Sequence, residues 1–178
     1  GARVGLLDTD IYGPSIPIMM GVMDKPEIRG QKMVPIEKYG VHLMSIGFLI
    51  PEEQAIIWRG PLVMKAVEQL LTDVEWGELD YLLIDLPPGT GDNPLTVMQI
   101  APLKGLIIVT QPQEVALVDA RKSANMAKRM DVPVLGIVEN MNGDVFGSGG
   151  GEQTAKKLGI KFLGGIPLKK SVRESSDA

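Results

Sequence analysis

The sequence predicts an α/β fold: a doubly wound, mostly parallel sheet forming one domain over residues 1–178. Three observations lead there. Short apolar runs rich in Val, Ile and Leu recur along the chain, they are continuous rather than alternating, and stretches with helical spacing separate them. Continuous runs are what parallel strands covered on both faces require, and alternation of strand with helix is the signature of a doubly wound sheet.

The expected strands are Val4–Asp8, Val41–Ile46, Tyr81–Leu86, Gly105–Thr110, Val134–Asn140 and Lys161–Ile166. Between them, Pro61 to Leu71 opens with Pro at the favoured first helical position and sets Leu62, Val63, Ala66, Val67 and Leu70 on one broad face. Val115 to Met130 repeats the pattern and ends in Lys128 and Arg129, which complement the helix dipole. Gln153 to Leu158 is a shorter helix closed by Gly159, a C-cap residue. Gly21–Tyr39 is polar and broken by Pro26, Gly30 and Pro35, and reads as a long irregular surface excursion.

Composition narrows the chemistry. At 44% apolar the chain is too hydrophobic to be disordered, yet it has no run long enough to span a bilayer. Its first residues show no charged leader with a cleavage site, which reads as no signal peptide. The net charge is −4 with both signs interspersed, so the basic footprint of a nucleic-acid binder is missing. The expectation is a cytoplasmic protein that engages neither nucleic acid nor membrane. There is no cysteine, hence no disulfide, thiolate site or cysteine nucleophile, and the single His42 cannot anchor a zinc ion alone. His42 reads as a partly exposed strand residue, and the ten methionines as core and loop packing.

Ligands of open parallel sheets bind beyond the carboxyl ends of the strands, so what stands there matters most. The first strand ends Asp8-Thr9-Asp10 and runs into Ile11-Tyr12-Gly13-Pro14-Ser15. The third ends Asp85-Leu86-Pro87-Pro88-Gly89-Thr90-Gly91-Asp92. An apolar strand ending in Asp is how P-loop ATPases hold Mg²⁺ through a water, and a glycine shortly after lets backbone N–H groups approach a terminal phosphate. A lone Asp in such a place is commonly a turn or cap residue; two strands delivering carboxylates to one edge are harder to explain by capping. Asn140 ends the fifth strand, where its amide suits a purine edge or, equally, a turn. Gly147–Glu152 resembles a phosphate loop but lacks the Lys-Ser/Thr pair, so it reads as a flexible lead-in to a helix.

At these residues the sequence resembles the Mrp family of iron–sulfur cluster carriers, within the MinD/ParA branch of deviant Walker P-loop ATPases. The matching stretches are residues 4–17, Trp58-Arg59-Gly60-Pro61, residues 83–92, Val138-Glu139-Asn140-Met141, Gly147–Glu152, Ile166-Pro167-Leu168 and Val172-Arg173-Glu174. The resemblance implies that Asp10 positions the attacking water with Asp8 supporting the metal shell, and that Asp85 holds Mg²⁺ through water. It implies that Gly89, Thr90, Gly91 and Asp92 sense the terminal phosphate, and that Asn140 with the backbone near Pro167 and Leu168 holds adenine. It further implies ATP as ligand, a homodimer, and iron–sulfur clusters handed to apoproteins.

Two features of the family pattern do not occur in these residues. One is the glycine-rich loop with two lysines, expected upstream of Gly1; the other is a Cys-x-x-Cys, expected between Asn142 and Gly143. Either the sequence is part of a longer chain or it is a variant lacking both. The alternatives to a carrier are a MinD/ParA-like positioning ATPase and a non-catalytic α/β binding module.

Overall fold

A computed structural model describes residues 1–49 and 60–176. Trp58 and Arg59 of the family-like motif lie outside the described residues. The contacts divide the chain into two compact units. The first holds residues 1–88 and 92–100; the second holds 89–91 and 101–178.

In the first unit, β1 (Val4–Asp8) is followed by the one-turn helix α1 (Ile16–Met19), a ribbon of β2 (Ile28–Arg29) and β3 (Lys32–Met33), then β4 (Ile36–Lys38), β5 (Val41–Ser45), α2 (Gly60–Thr72), β6 (Tyr81–Asp85) and α3 (Asp92–Ile100). The main sheet has the order β4-β5-β1-β6. β1 pairs in parallel with both neighbours, Leu7 opposite Met44 on one side and Ile84 on the other. Leu7, Leu43, Met44, Ile46, Val63, Val67 and Leu70 are sealed from solvent and make the core. The apolar stripe expected of α2 is the face it buries: Val63, Ala66, Val67 and Leu70 are inside, while Leu62 stands outside.

The excursion expected to be irregular is partly ordered. Arg29 pairs with Lys32 across Gly30-Gln31, and Gly30 has φ +63°, the first position of a type II′ hairpin turn. Lys38 pairs with Val41 across Tyr39-Gly40, both at positive φ as a type I′ turn demands. The second hairpin adds β4 as an antiparallel edge to an otherwise parallel sheet. The ribbon is tied to the end of α2 by backbone bonds from Met33 N–H to Asp73 and from Glu75 N–H to Met33.

The second unit runs β7 (Leu106–Thr110), α4 (Glu114–Arg129), β8 (Val134–Asn142), α5 (Gly150–Leu158), β9 (Phe162–Pro167) and α6 (Lys170–Ser176). Its sheet is parallel, in the order β7-β8-β9. Ile108 and Ile137 pack with Ala120 and Ala124 of α4 and Ala155 of α5. Gly159 is the left-handed C-cap of α5, as expected.

Exposure alternates along two of the strands. Ile107 and Val109 are 48% and 62% exposed while Ile108 is buried, and Tyr81 and Leu83 of β6 are exposed in the same alternating way. In the second unit, α4 and α5 pack on the side bearing Ile108 and Ile137. A continuous apolar run does not say whether both faces are occupied. No helix among the described residues is long and apolar enough to cross a membrane.

Candidate functional site

The carboxyl end of the first unit's sheet is where its acids meet. The β1–β6 register sets Asp8 directly beside Asp85, at the spacing of adjacent strands, about 4.8 Å. Thr9 locks the two ends together, its N–H donating to the Asp85 carbonyl at 3.0 Å and its hydroxyl to the same oxygen at 2.6 Å. Asp10 follows at once, and its charge and that of Asp8 both act on Asp85.

The three carboxylates are in different situations. Asp8 is fully buried. Its Oδ1 accepts the Asp10 N–H at 3.0 Å and its Oδ2 the Ser45 hydroxyl at 2.9 Å. Burial raises its pKa, the donors from Asp10 and Ser45 pull it back, and the neighbouring Asp10 charge adds to the rise. Asp85 is exposed on one side. Its pKa is also raised, first by the burial of its other side and then by the charges of Asp8 and Asp10. Asp10 is half-buried, and its Oδ1 receives the N–H groups of Tyr12 and Gly13 at 3.2 and 3.3 Å. That is the turn role a lone Asp is expected to play. Among the described residues nothing hydrogen-bonds its Oδ2, so the turn leaves one oxygen for other work.

No three acidic or histidine side chains among the described residues form a cage that could hold a metal ion unaided. The arrangement suits magnesium nonetheless. That ion keeps several waters and takes one or two carboxylates together with substrate phosphates, and Asp85 offers a solvent-facing carboxylate at a strand end. Asp92 opens α3, a nine-residue helix not foreseen from the sequence, with Pro94, Thr96, Val97 and Met98 buried. Gly89, with φ +87°, Thr90 and Gly91 precede it, and those three belong with the second unit.

In the second unit the strand ends bring Asn140, Pro167 and Leu168 together. Asn140 pairs in register with Ile166 and Asn142 with Pro167, and Leu168 N–H donates to the Asn142 carbonyl at 2.9 Å. The Asn140 side-chain oxygen accepts its neighbour's N–H, from Met141, at 2.9 Å. After Asn142 the chain makes a tight loop closed by reciprocal backbone bonds between Gly143 and Gly147.

Sequence reasoning missed Glu139. It is 1% exposed, and its carboxylate accepts the N–H of Gly149 at 2.9 Å and of Gly151 at 2.6 Å, at the start of α5. An anion there meets both the unpaired amides and the positive end of the helix dipole. A Cβ on Gly151 would come within 3.0 Å of the Glu139 Cβ, so the glycine run is a fitted partner of the acid rather than a loose lead-in. The available signal was an acid within the apolar strand Val134–Asn140, which needs a partner, and a glycine run ten residues on.

Comparison with known proteins shows the family. The family model described as "NUBPL iron-transfer P-loop NTPase", of the ParA group, matches residues 1–178. The iron–sulfur cluster carrier protein of Methanocaldococcus jannaschii is 52% identical over 191 residues, covering 99% of this chain and 66% of that protein. An Archaeoglobus fulgidus nucleotide-binding protein solved with ADP superposes with a TM-score of 0.85 at 39% identity, over 99% of this chain and 74% of that one. The septum site-determining protein MinD of Pyrococcus horikoshii, solved with Mg-ADP, shares the fold at a TM-score of 0.72 and 20% identity, over 99% of this chain and 73% of that one. The chain spans 58 to 66% of the length of the first curated relatives it matches. A match along every residue, at half identity to a cluster carrier and on a MinD-like doubly wound fold, makes this chain a member of the ParA/NUBPL family of iron-transfer P-loop NTPases.

Proposed function

We propose that the protein is a magnesium-dependent ATPase whose nucleotide cycle drives the carriage of iron–sulfur clusters to apoproteins. The observation that carries this is the register pairing of Asp8 with Asp85, with Asp10 immediately beyond, which gathers three acids from two strands at one edge. Burial and then the charges of Asp8 and Asp10 raise the pKa of Asp85, and a carboxylate so placed at an open strand end calls for a cation. Asp85 holds magnesium through water, and Asp10 accepts a proton from the water that attacks the γ-phosphorus, using the oxygen its turn leaves open. Magnesium held there would supply charge neutralisation to the phosphates. Gly89, Thr90, Gly91 and Asp92 change position with the presence of the terminal phosphate, a segment-ordering switch. The Asn140 amide, with the backbone of Pro167 and Leu168, reads the adenine edge.

The M. jannaschii relative's name supports the cluster as cargo. Clusters are held by thiolates, sometimes with histidine, and these 178 residues contain no cysteine and one histidine. No ligand to the cargo is therefore assigned among them. The same fact favours a second reading, a nucleotide switch of the MinD/ParA kind that carries no cluster on this segment. The protein acts as a homodimer in the cytoplasm.

Two measurements on the full-length protein test the proposal. ATP turnover in magnesium should disappear on removal of the metal by chelator. Reconstitution with iron and sulfide should give a visible charge-transfer band. Turnover without a band would select the second reading, and neither would reject both.

A further inference from the structure

Asp8 is the most buried of the three acids, and its two oxygens are engaged by an amide of its own loop and by a hydroxyl from a different strand. Ser45, at the end of β5, is itself fully buried. Its Oγ donates to Asp8 Oδ2 and accepts the Gly47 N–H at 3.0 Å. Gly47 in turn lies hard against the Asp10 loop: a Cβ there would come within 2.9 Å of the Pro14 Cβ and 3.2 Å of the Ser45 Oγ. The contacts form a closed circuit. Asp8 holds the Asp10 backbone, Asp10 folds the turn through Tyr12 and Gly13, Pro14 seats on Gly47, and Gly47 returns through Ser45 to Asp8.

We propose that Asp8 and Ser45 are positioning residues that set the Asp10 turn, and that Asp8 does not serve the magnesium ion. Resting on the ATPase reading, this separates the roles of two acids that the motif alone treats as partners. A metal ligand, or a carboxylate that holds a metal-bound water, must present a lone pair to a space where the ion or water can sit. Asp8 has no accessible surface, and each oxygen already has a protein donor. Asp85 is exposed and Asp10 has an open oxygen, so both meet the requirement that Asp8 does not. A turn displaced by a fraction of an ångström is enough to misplace a catalytic carboxylate.

The test is ATP turnover by the full-length protein as a function of magnesium, comparing Asp8→Asn, Ser45→Ala, the double variant and Asp85→Asn. Asp8→Asn and Ser45→Ala should each lower kcat about tenfold, with the KM for ATP and the magnesium half-saturation unchanged. The double variant should be no worse than either single one, because both break one circuit. Asp85→Asn should instead raise the magnesium half-saturation at least about tenfold. Should Ser45→Ala fail to fold, Gly47→Ala, which forces a methyl toward Pro14 and touches no carboxylate, should give the same lowering of kcat alone. The inference is overturned if Asp8→Asn shifts the magnesium requirement as Asp85→Asn does, or if the two single effects multiply. A wild-type protein that neither binds nor turns over ATP would reject the ATPase reading itself, an outcome distinct from either of these.

Discussion

Two acids stand in the carboxyl-terminal halves of strands, one in each unit, and their surroundings give them opposite characters. Glu139, inside β8 near its carboxyl end, is buried but satisfied: two backbone N–H groups and the start of α5 neutralise it from within. Asp85, ending β6, faces Asp8 and Asp10, and its side chain has no donor among the described residues to offset their charge. The first acid has spent its charge on the fold. The second keeps its charge available, at a cost to the fold, for something that binds. Neither residue type nor position along a strand separates the two cases; the donors around them do.

The largest expected break in this comparison is kinetic. Asp10→Ala in the full-length protein should lower ATP turnover by about 10²–10⁴-fold, the range for losing a positioned general base, with nucleotide affinity retained. Equal loss of affinity and turnover, measured by titration calorimetry beside the rate, would instead make Asp10 a binding or folding residue. Next comes Glu139→Ala, which strands two buried amides and should cost about 2–3 kcal/mol in urea denaturation. A change below about 0.5 kcal/mol would show that Glu139 is not what secures α5.

The smallest effect has the opposite sign. The pKa values of Asp8 and Asp85 are raised in the fold, so the folded protein retains protons that the unfolded chain, with Asp near 3.9, has released. Stability therefore falls as pH rises through the window from the ordinary Asp value to the raised one, and stays at the lower level above it. Asp85→Asn removes one member of the repelling trio. Its Tm should be slightly above wild type at pH 7, with the gap narrowing on acidification, while its turnover requires more magnesium. A variant less stable than wild type at pH 7 would mean that the three charges do not oppose folding.

Much of this was readable beforehand, and the reasons are local. β1 was expected at Val4–Asp8 and is found there; α2, α4 and the cap at Gly159 follow from spacing, Pro placement and glycine. The hairpins within 28–43 were passed over because their signals, Gly30-Gln31 and Tyr39-Gly40, are weaker than Asn-Gly, and their strands are only two to five residues long. α3 is not legible in the sequence because it follows the glycines at 89 and 91 directly and carries Pro94 inside its first turn, where proline is tolerated. Ser45 and Glu139 were invisible for another reason. Each works through a partner distant in sequence, Asp8 at 37 residues and Gly151 at 12, and spacing along a chain carries no record of such pairings.

The sequence alone determined the order of strands and helices, the family pattern and the acids at the strand ends, because periodicity and short motifs express local chemistry. Tertiary structure decided what each acid became. Strand register set Asp85 against Asp8, a hydroxyl from β5 engaged one carboxylate, and a helix start neutralised another. Charge in a protein acquires its energy from what surrounds it in space, and those surroundings come into being only when the chain folds.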